Sequence, residues 1–253
     1  MELVQSVDRT LTILEVLSDY SDGLGITDIS ERVNLHKSTV YRLLSTLSYK
    51  GYVVQDEETS KYKITFKLFE LGSKKVDKLD LLNCSKSYTK ALMESVNEVV
   101  HLVIREDTEI VYIDKVEANN TISMASRVGK RNPMYCTATG KGMLAFMPEE
   151  EVLKVWNSSK IIKLTKNTNT DFILFKKELQ AIKKNGYAID DEENEMGVRC
   201  VGAPIFNING KVAGAISVSG PMHRVTEDKI DFISNELIKC SNLISKEMGY
   251  KLN

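Results

Sequence analysis

Six side chains able to bond phosphates or base edges fall within nine positions: Lys37, Ser38, Thr39, Tyr41, Arg42 and Ser45. Their chemistry suits a surface that meets nucleic acid. Lysine and arginine neutralise phosphates, arginine also pairs with guanine edges, and hydroxyls bond either. Backbone amides at a helix start suit a phosphate as well. An apolar set positions them: Val40, Leu43, Leu44 and Leu47 recur at spacings of three and four, one face of a helix. Burying that face turns Ser38, Tyr41, Arg42 and Ser45 outward and leaves Lys37 and Thr39 near the helix start. An isolated amphipathic helix is usually only a solvated one, so the flanks decide.

Upstream, residues 26–32 read as a short bracing helix capped by Thr27, followed by a polar turn. Downstream, Gly51 ends the helix pattern. Residues 52–55 read as a strand, the acidic run 56–60 as a turn, and 61–65 as a returning strand. Helix, turn, helix and hairpin make a winged helix-turn-helix, a DNA-reading device. Lys61 and Lys63 lie on the wing, within reach of phosphates, while the acidic wing tip argues against deep insertion. A preceding helix presents Val7, Leu11, Leu14 and Leu17 on one face with Ile13 beside it, and Ser6 or Asp8 caps it.

The chain of 253 residues is long enough for two domains with ample core. A net charge of −1 excludes a polycation, but residues 37–50 carry three basic side chains and no acidic one. Nucleic-acid binding depends on that local field. The cysteines Cys84, Cys136, Cys200 and Cys240 form no CxxC pair, and neither they nor His36, His101 and His223 have zinc-site spacing. No metal and no cofactor are expected. Reduced thiols in a cytosol are the simplest reading. The start lacks the basic region and apolar run of a signal peptide, and no segment is apolar enough to span a bilayer, so a cytoplasmic protein without a membrane partner is expected.

Residues 66–97 read as helical, with Leu68, Leu71 and Val76 in one helix and Leu79, Leu82, Tyr88, Leu92 and Val96 in another. The charged run 74–78 reads as the connector. From residue 99 the period changes. Strands are expected at 99–105, 109–116 and 122–128, and a helix at 139–146. Another helix opens at Pro148 with Glu149, Glu150 and Glu151 in its first turn. A longer helix spans 171–184 and stops at Asn185-Gly186, and a strand follows at 187–190. Strands at 198–208 and 211–219 are joined through Asn209-Gly210, a strong hairpin signal. A closing helix at 226–248 turns Ile230, Ile233, Leu237 and Leu243 inward. The fold class is α+β, a mainly antiparallel sheet flanked by helices. The expected domains are 1–65, a linker helix at 66–78, and 79–253. Thr139-Gly140-Lys141-Gly142 is too short for a phosphate-binding P-loop.

Five segments carry a family resemblance: Leu35-His36-Lys37-Ser38-Thr39-Val40-Tyr41-Arg42-Leu43-Leu44, Tyr135-Cys136-Thr137-Ala138-Thr139-Gly140-Lys141-Gly142-Met143-Leu144-Ala145, Gly186-Tyr187-Ala188-Ile189-Asp190-Asp191-Glu192-Glu193, Gly197-Val198-Arg199-Cys200-Val201-Gly202-Ala203-Pro204-Ile205-Phe206 and Ala215-Ile216-Ser217-Val218-Ser219-Gly220-Pro221. In this order they resemble the IclR family of bacterial transcriptional regulators over nearly the whole chain. The resemblance implies a winged helix-turn-helix, a linker helix and a GAF-like effector-binding domain. It also implies a homodimer or homotetramer on a palindromic double-stranded operator. The expected function is a repressor of a catabolic operon, with an activator of the same architecture as the alternative. His36 stands where relatives often carry proline, a favourable but dispensable helix start.

Carried over position by position, the effector pocket would be lined by Met124, Ala138, Thr139, Asp190, Cys200, Ser217 and Ser219. Family effectors are small organic, sugar and aromatic acids, and one group responds to sugar-derived keto acids such as 2-keto-3-deoxygluconate. The residues are compatible with this. Ser217 and Ser219 share one strand face while Ile216 and Val218 take the other. Buried hydroxyls need partners, which a polar ligand or the backbone can supply. Amides near Ala138 and Thr139 suit a carboxylate, and Asp190 accepts hydroxyls but repels a second negative charge. A hydroxylated or keto acid therefore fits better than a dicarboxylate. Arg127 is a further candidate for pairing with the acid, a surface position being the simpler reading.

Two other classes compete. An enzyme would use Cys136 or Cys200 as nucleophile and needs a base or positive field beside it. Neither cysteine has a histidine nearby in sequence, although Arg199 adjoins Cys200. A protein-binding module with a purely structural helix-turn-helix would not need the basic Lys37, Arg42 and Lys63. A regulator without enzymatic activity is the expectation.

Overall fold

The computed structural model describes residues 3–76, 80–118, 120 and 126–251. The chain divides into two compact units, Met1–Lys78 and Leu79–Asn253. In the first, α1 (Gln5–Ser18), α2 (Ile26–Arg32) and α3 (Lys37–Tyr49) precede a hairpin of β1 (Val53–Gln55) and β2 (Tyr62–Ile64), and α4 (Lys67–Val76) follows. The core is built from Ile13 and Leu17 of α1, Ile29 of α2, and Val40, Leu44 and Leu47 of α3, closed by Val53 and Tyr62. Leu24 bridges antiparallel to Tyr62 and ties the loop before α2 to the wing. Gly51 takes φ +77°, the left-handed turn that stops α3 and releases the chain into β1.

Several local expectations need correction. In α1 the inward residues are Ile13 and Leu17, whereas Val7 and Leu11 are exposed. Neither Ser6 nor Asp8 caps that helix, which starts after Val4 without a side-chain cap. Thr27 lies inside α2, one residue past its start, and the cap position is Gly25. Leu43 is only half-buried. The run expected to connect the domains starts as helix, since Lys74, Lys75 and Val76 complete α4. Asp77, Lys78 and Leu79 lie outside the described residues.

The second unit is a six-stranded antiparallel sheet. Its strands are β3 (Val99–Glu106), β4 (Glu109–Val116), β5 (Arg131–Pro133), β6 (Ala188–Asp191), β7 (Val198–Phe206) and β8 (Val212–Pro221), in the order β5-β4-β3-β8-β7-β6. Helices α5 (Asp80–Val96) and α9 (Ile230–Glu247) pack together and against the sheet. Helices α6 (Ala138–Leu144), α7 (Glu149–Ser158) and α8 (Phe172–Asn185) complete the layer on the other side. Strand alternation sorts the two faces. Leu102, Ile216, Val218, Val201 and Ala203 are all buried and share one face. His101, Ser217 and Gly202 align across three strands on the other, as do Ser219, Cys200 and Asp190.

The short edge strand β5 was not anticipated, and most of the strand expected at 122–128 lies outside the described residues. Within α9 the inward side chain near the C-terminus is Ile244, and Leu243 is exposed. The Asn209-Gly210 turn joins β7 to β8, with Gly210 N–H bonding Asn207 O at 2.9 Å. Asp171 caps α8 by accepting from the amides of Ile173 and Leu174.

Candidate functional site

The first unit presents its polar residues along α3. Lys37, Ser38, Tyr41, Arg42 and Ser45 are exposed and Thr39 is half-buried. They form two parallel stripes: Ser38, Tyr41 and Ser45 in one, Thr39, Arg42 and Thr46 in the other. The second stripe faces Gln5, Ser6 and Arg9 of α1 across a concavity of about 280 Å³. Arg9 is therefore a basic neighbour of the recognition helix that sequence reasoning did not select. The Ser45 hydroxyl donates to Tyr41 O at 2.8 Å, which leaves its oxygen free as an acceptor. On the wing, Asp56 accepts from the amide and hydroxyl of Thr59, both at 2.9 Å, and pairs with Lys63 at 3.3 Å. These bonds, the Thr59 amide first, hold the Asp56 carboxyl at about 2. The pair makes Lys63 a partly committed cation, whereas Lys61 has no ion pair among the described residues. Thr27 is exposed in the first turn of α2.

The second candidate site is a narrow cavity of about 30 Å³ between the sheet and the α6 segment. That is space for about two waters. Ala138, Thr139, Asp190, Cys200, Ser217 and Ser219 all line it, and Met124 lies outside the described residues. The close packing of α6 on β7 depends on Gly202, where a Cβ would lie 2.6 Å from the Ala138 carbonyl carbon and 2.7 Å from the Thr139 nitrogen. Thr137 caps α6 by accepting from Gly140 N–H at 3.3 Å. Ser217 and Ser219 lie 3.5 Å apart, oxygen to oxygen.

Each charge in this region has a physical history. Asp190 is buried and accepts the amides of Glu193 and Asn194 at 2.8 and 3.2 Å. Burial pushes its carboxyl up to about 6, against the pull of Lys141 and those amides. Lys141 is wholly buried, and its ammonium is held by Glu178 and Glu193. Burial opposes its charge, but the two carboxylates outweigh that and raise its pKa. The lysine in the short glycine motif is thus an internal strut rather than a phosphate ligand. Burial, Asp190 and Glu193 push the Cys136 thiol up to about 12, and burial followed by Asp190 also raises Cys200. Neither thiol has the environment of a nucleophile.

The structure adds wall residues from the other half of the sheet: His101, Tyr112, Ser126, Lys130 and Asn132. His101 Nε2 lies 2.7 Å from Ser126 Oγ, and the ring stacks edge-on against Tyr112 at 4.9 Å. Burial, then Lys115 and Lys130, holds the imidazole neutral, with a pKa of about 3. A histidine inside the apolar run Val99-Val100-His101-Leu102-Val103 was the available signal. Arg127 is exposed and does not line the cavity.

Two family models match the chain, the IclR helix-turn-helix domain over residues 6–57 and the bacterial transcriptional regulator IclR C-terminal domain over residues 73–246. The HTH-type transcriptional regulator KdgR of Escherichia coli (strain K12) is 36% identical over 247 residues, covering 98% of this chain and 94% of the relative. The transcriptional repressor IclR of the same strain is 31% identical over 248 residues, covering 97% and 90%. Among solved structures, the Thermotoga maritima IclR aligns with a TM-score of 0.86 at 34% identity, covering 98% of this chain and 100% of that one.

Proposed function

The chain belongs to the IclR family of bacterial transcriptional regulators, and on that premise we propose that it represses a catabolic operon until a small hydroxylated or keto acid enters its C-terminal domain. It is a DNA-binding regulator, not an enzyme, with an effector-binding second unit. Lys37, Ser38, Thr39, Tyr41, Arg42 and Ser45 meet the operator, with Thr27, Lys61 and Lys63 on flanking phosphates. Such a protein works where the DNA is, in the cytoplasm, and no described helix is long and apolar enough to cross a membrane.

The observation that carries the effector reading is the polar row His101–Ser217 and Ser219–Cys200–Asp190 on one face of the sheet, buried except for the half-buried Cys200. Buried polar side chains crowd a domain only where something satisfies them. The sugar-acid class follows from the hydroxyls and the carboxyl in that row, and the similarity to KdgR is consistent with it. A ligand of several carbons exceeds about 30 Å³, so the walls must part to admit it. An acid that binds the parted form shifts the protein toward it, and operator affinity changes by the same linkage.

On this reading the protein acts as a homodimer or homotetramer on a palindrome. Val7 and Leu11 on α1, and Phe69 and Leu71 on α4, are exposed apolar side chains of the DNA-binding unit and the candidates for contacts between copies. The test is fluorescence anisotropy on the protein's own promoter DNA at two salt concentrations, with unrelated DNA as competitor. Tight, salt-dependent, competitor-resistant binding that a small acid releases is the expected result. An acid that tightens binding instead identifies an activator, and equal weak binding to all DNA removes the reading.

A further inference from the structure

The effector cavity has two electrostatic ends. One end is cationic. Lys115 and Lys130 are the charges that bear on His101. The Lys115 ammonium is already engaged, by Ser126 O at 2.8 Å and Glu117 at 2.6 Å. Lys130 makes no ion pair or side-chain hydrogen bond among the described residues. The other end is anionic, since Asp190 and Glu195 are the charges that act on Cys200 first. Tyr112 lies edge-on to His101, and its hydroxyl accepts from the Asn132 amide at 3.1 Å.

Within the cationic end one atom is unaccounted for. His101 is 2% exposed, its Nε2 is satisfied by Ser126, and its Nδ1 has neither a hydrogen-bond partner nor solvent. A buried unpaired nitrogen costs folding free energy, and such groups are rare unless a ligand completes them. When the Ser126 hydroxyl donates to Nε2, the ring proton sits on Nδ1 and needs an acceptor. The neighbouring ammonium groups make an anionic acceptor the favoured one.

We propose that His101 Nδ1 and the Lys130 ammonium form the carboxylate seat of the effector site, and that Asp190 and Ser219 at the opposite end take the effector's hydroxyls. The inference rests on the acid-effector reading above and fixes the orientation of the ligand within it. It departs from the sequence expectation that amides at the start of α6 hold the carboxylate. Of that helix's amides, Gly140 bonds the Thr137 hydroxyl and Lys141 bonds Thr137 O at 2.9 Å, which leaves those of Ala138 and Thr139, beside the cavity, for the effector's remaining oxygens. The seat discriminates by chemistry: an aldonic or 2-keto aldonic acid fits, its uncharged polyol lacks the anion, and a dicarboxylate places a second anion against Asp190.

The experiment uses the full-length protein, 2-keto-3-deoxygluconate and gluconate as acid probes, and sorbitol as the uncharged control. Operator release is read by anisotropy and acid-induced thermal shift by calorimetry, each relative to the variant's own acid-free baseline. His101→Leu and Lys130→Met should each weaken the response to the acids by about tenfold or more, with no response to sorbitol in any form. His101→Leu also removes an orphaned polar atom, so its ligand-free melting temperature should hold or rise, whereas a purely structural histidine would leave it lower. If His101→Leu does not fold, the half-exposed Lys130→Met decides alone. Variants that respond to the acids as the unaltered protein does overturn the seat while leaving the acid-effector reading intact. An unaltered protein that binds its operator but ignores both acids overturns the reading and the seat with it.

Discussion

Burial holds the proton of Asp190 to about pH 6 in the folded protein, against 3.8 in an open chain. The native state therefore keeps this proton longer than the unfolded state. Native stability falls as pH rises between those values, and the penalty is complete above about 6. Asp190→Asn keeps an oxygen for the amides of Glu193 and Asn194 and removes the penalty. The expected gain is about 1–3 kcal/mol at pH 8, shrinking toward zero near pH 4. Urea unfolding at several pH values measures it, and a gain that does not change with pH would assign the effect to packing. Glu193 is raised to about 7 by burial first and acts in the same direction, so the substitution flattens the pH dependence without abolishing it. At the DNA face, Arg42→Ala should weaken operator binding by about 1–3 kcal/mol if Arg42 reads a guanine. In that case discrimination against operators altered at one base pair falls too. Uniform weakening across sequences, with a shallower salt dependence, would place Arg42 with Arg9 on a phosphate instead. Unchanged affinity would remove Arg42 from the interface.

Elements carry the site through close approach, and Gly202 is where that approach is tightest. A methyl group there meets the backbone of Ala138 and Thr139 at 2.6–2.8 Å. Gly202→Ala should destabilise the second unit by about 1–3 kcal/mol and displace α6 from β7. Loss of the acid response and a lower melting temperature are the expected outcome, and a normal melting curve with normal release would show that α6 relaxes freely. Much of this arrangement was legible in the chain. Spacing of Val40, Leu44 and Leu47 identifies the recognition helix, because a helix buries one stripe whatever surrounds it. The Asn209-Gly210 turn announces the β7–β8 hairpin, and Ser217 and Ser219 announce a polar sheet face. Helix starts were harder, since Val4, Gly25 and His36 offer no side-chain cap to recognise. The face of α1 was misjudged because Val7 and Leu11 continue an apolar pattern that the monomer leaves exposed. Half of the cavity was missed for a different reason. Alternation tells which side of a strand a residue takes, but the pairing of β3 with β8 brings His101 beside Ser217 across more than a hundred residues. No local pattern encodes that register.

At the scale of the whole molecule, the net charge of −1 gives no general attraction to DNA, so affinity must come from a local face. The recognition helix has 13 residues and its basic side chains are few. The proposed homodimer would bring two such helices to one palindrome. Linking two such faces makes the second contact intramolecular and raises avidity by about 10²–10⁴-fold. In the proposed homodimer, the apolar side chains that a single copy leaves in solvent would provide the means. Val7 and Leu11 are 55% and 54% exposed, and Phe69 is 72% exposed, all within the DNA-binding unit. A carboxylate placed on that surface must be desolvated for two copies to meet, yet it perturbs little in one copy alone. Leu11→Glu combined with Phe69→Glu should therefore lower the mass seen by sedimentation equilibrium, or split it into a concentration-dependent mixture, while the helical circular dichroism persists. The same variant should bind a full palindrome no better than one half-site, a loss of about 10²-fold or more against the unaltered protein. Unaltered mass with unaltered palindrome affinity would move the assembly contact to another surface. Lower mass with retained palindrome preference would show that the DNA itself brings two copies together, so that operator spacing rather than the apolar surface sets the active geometry.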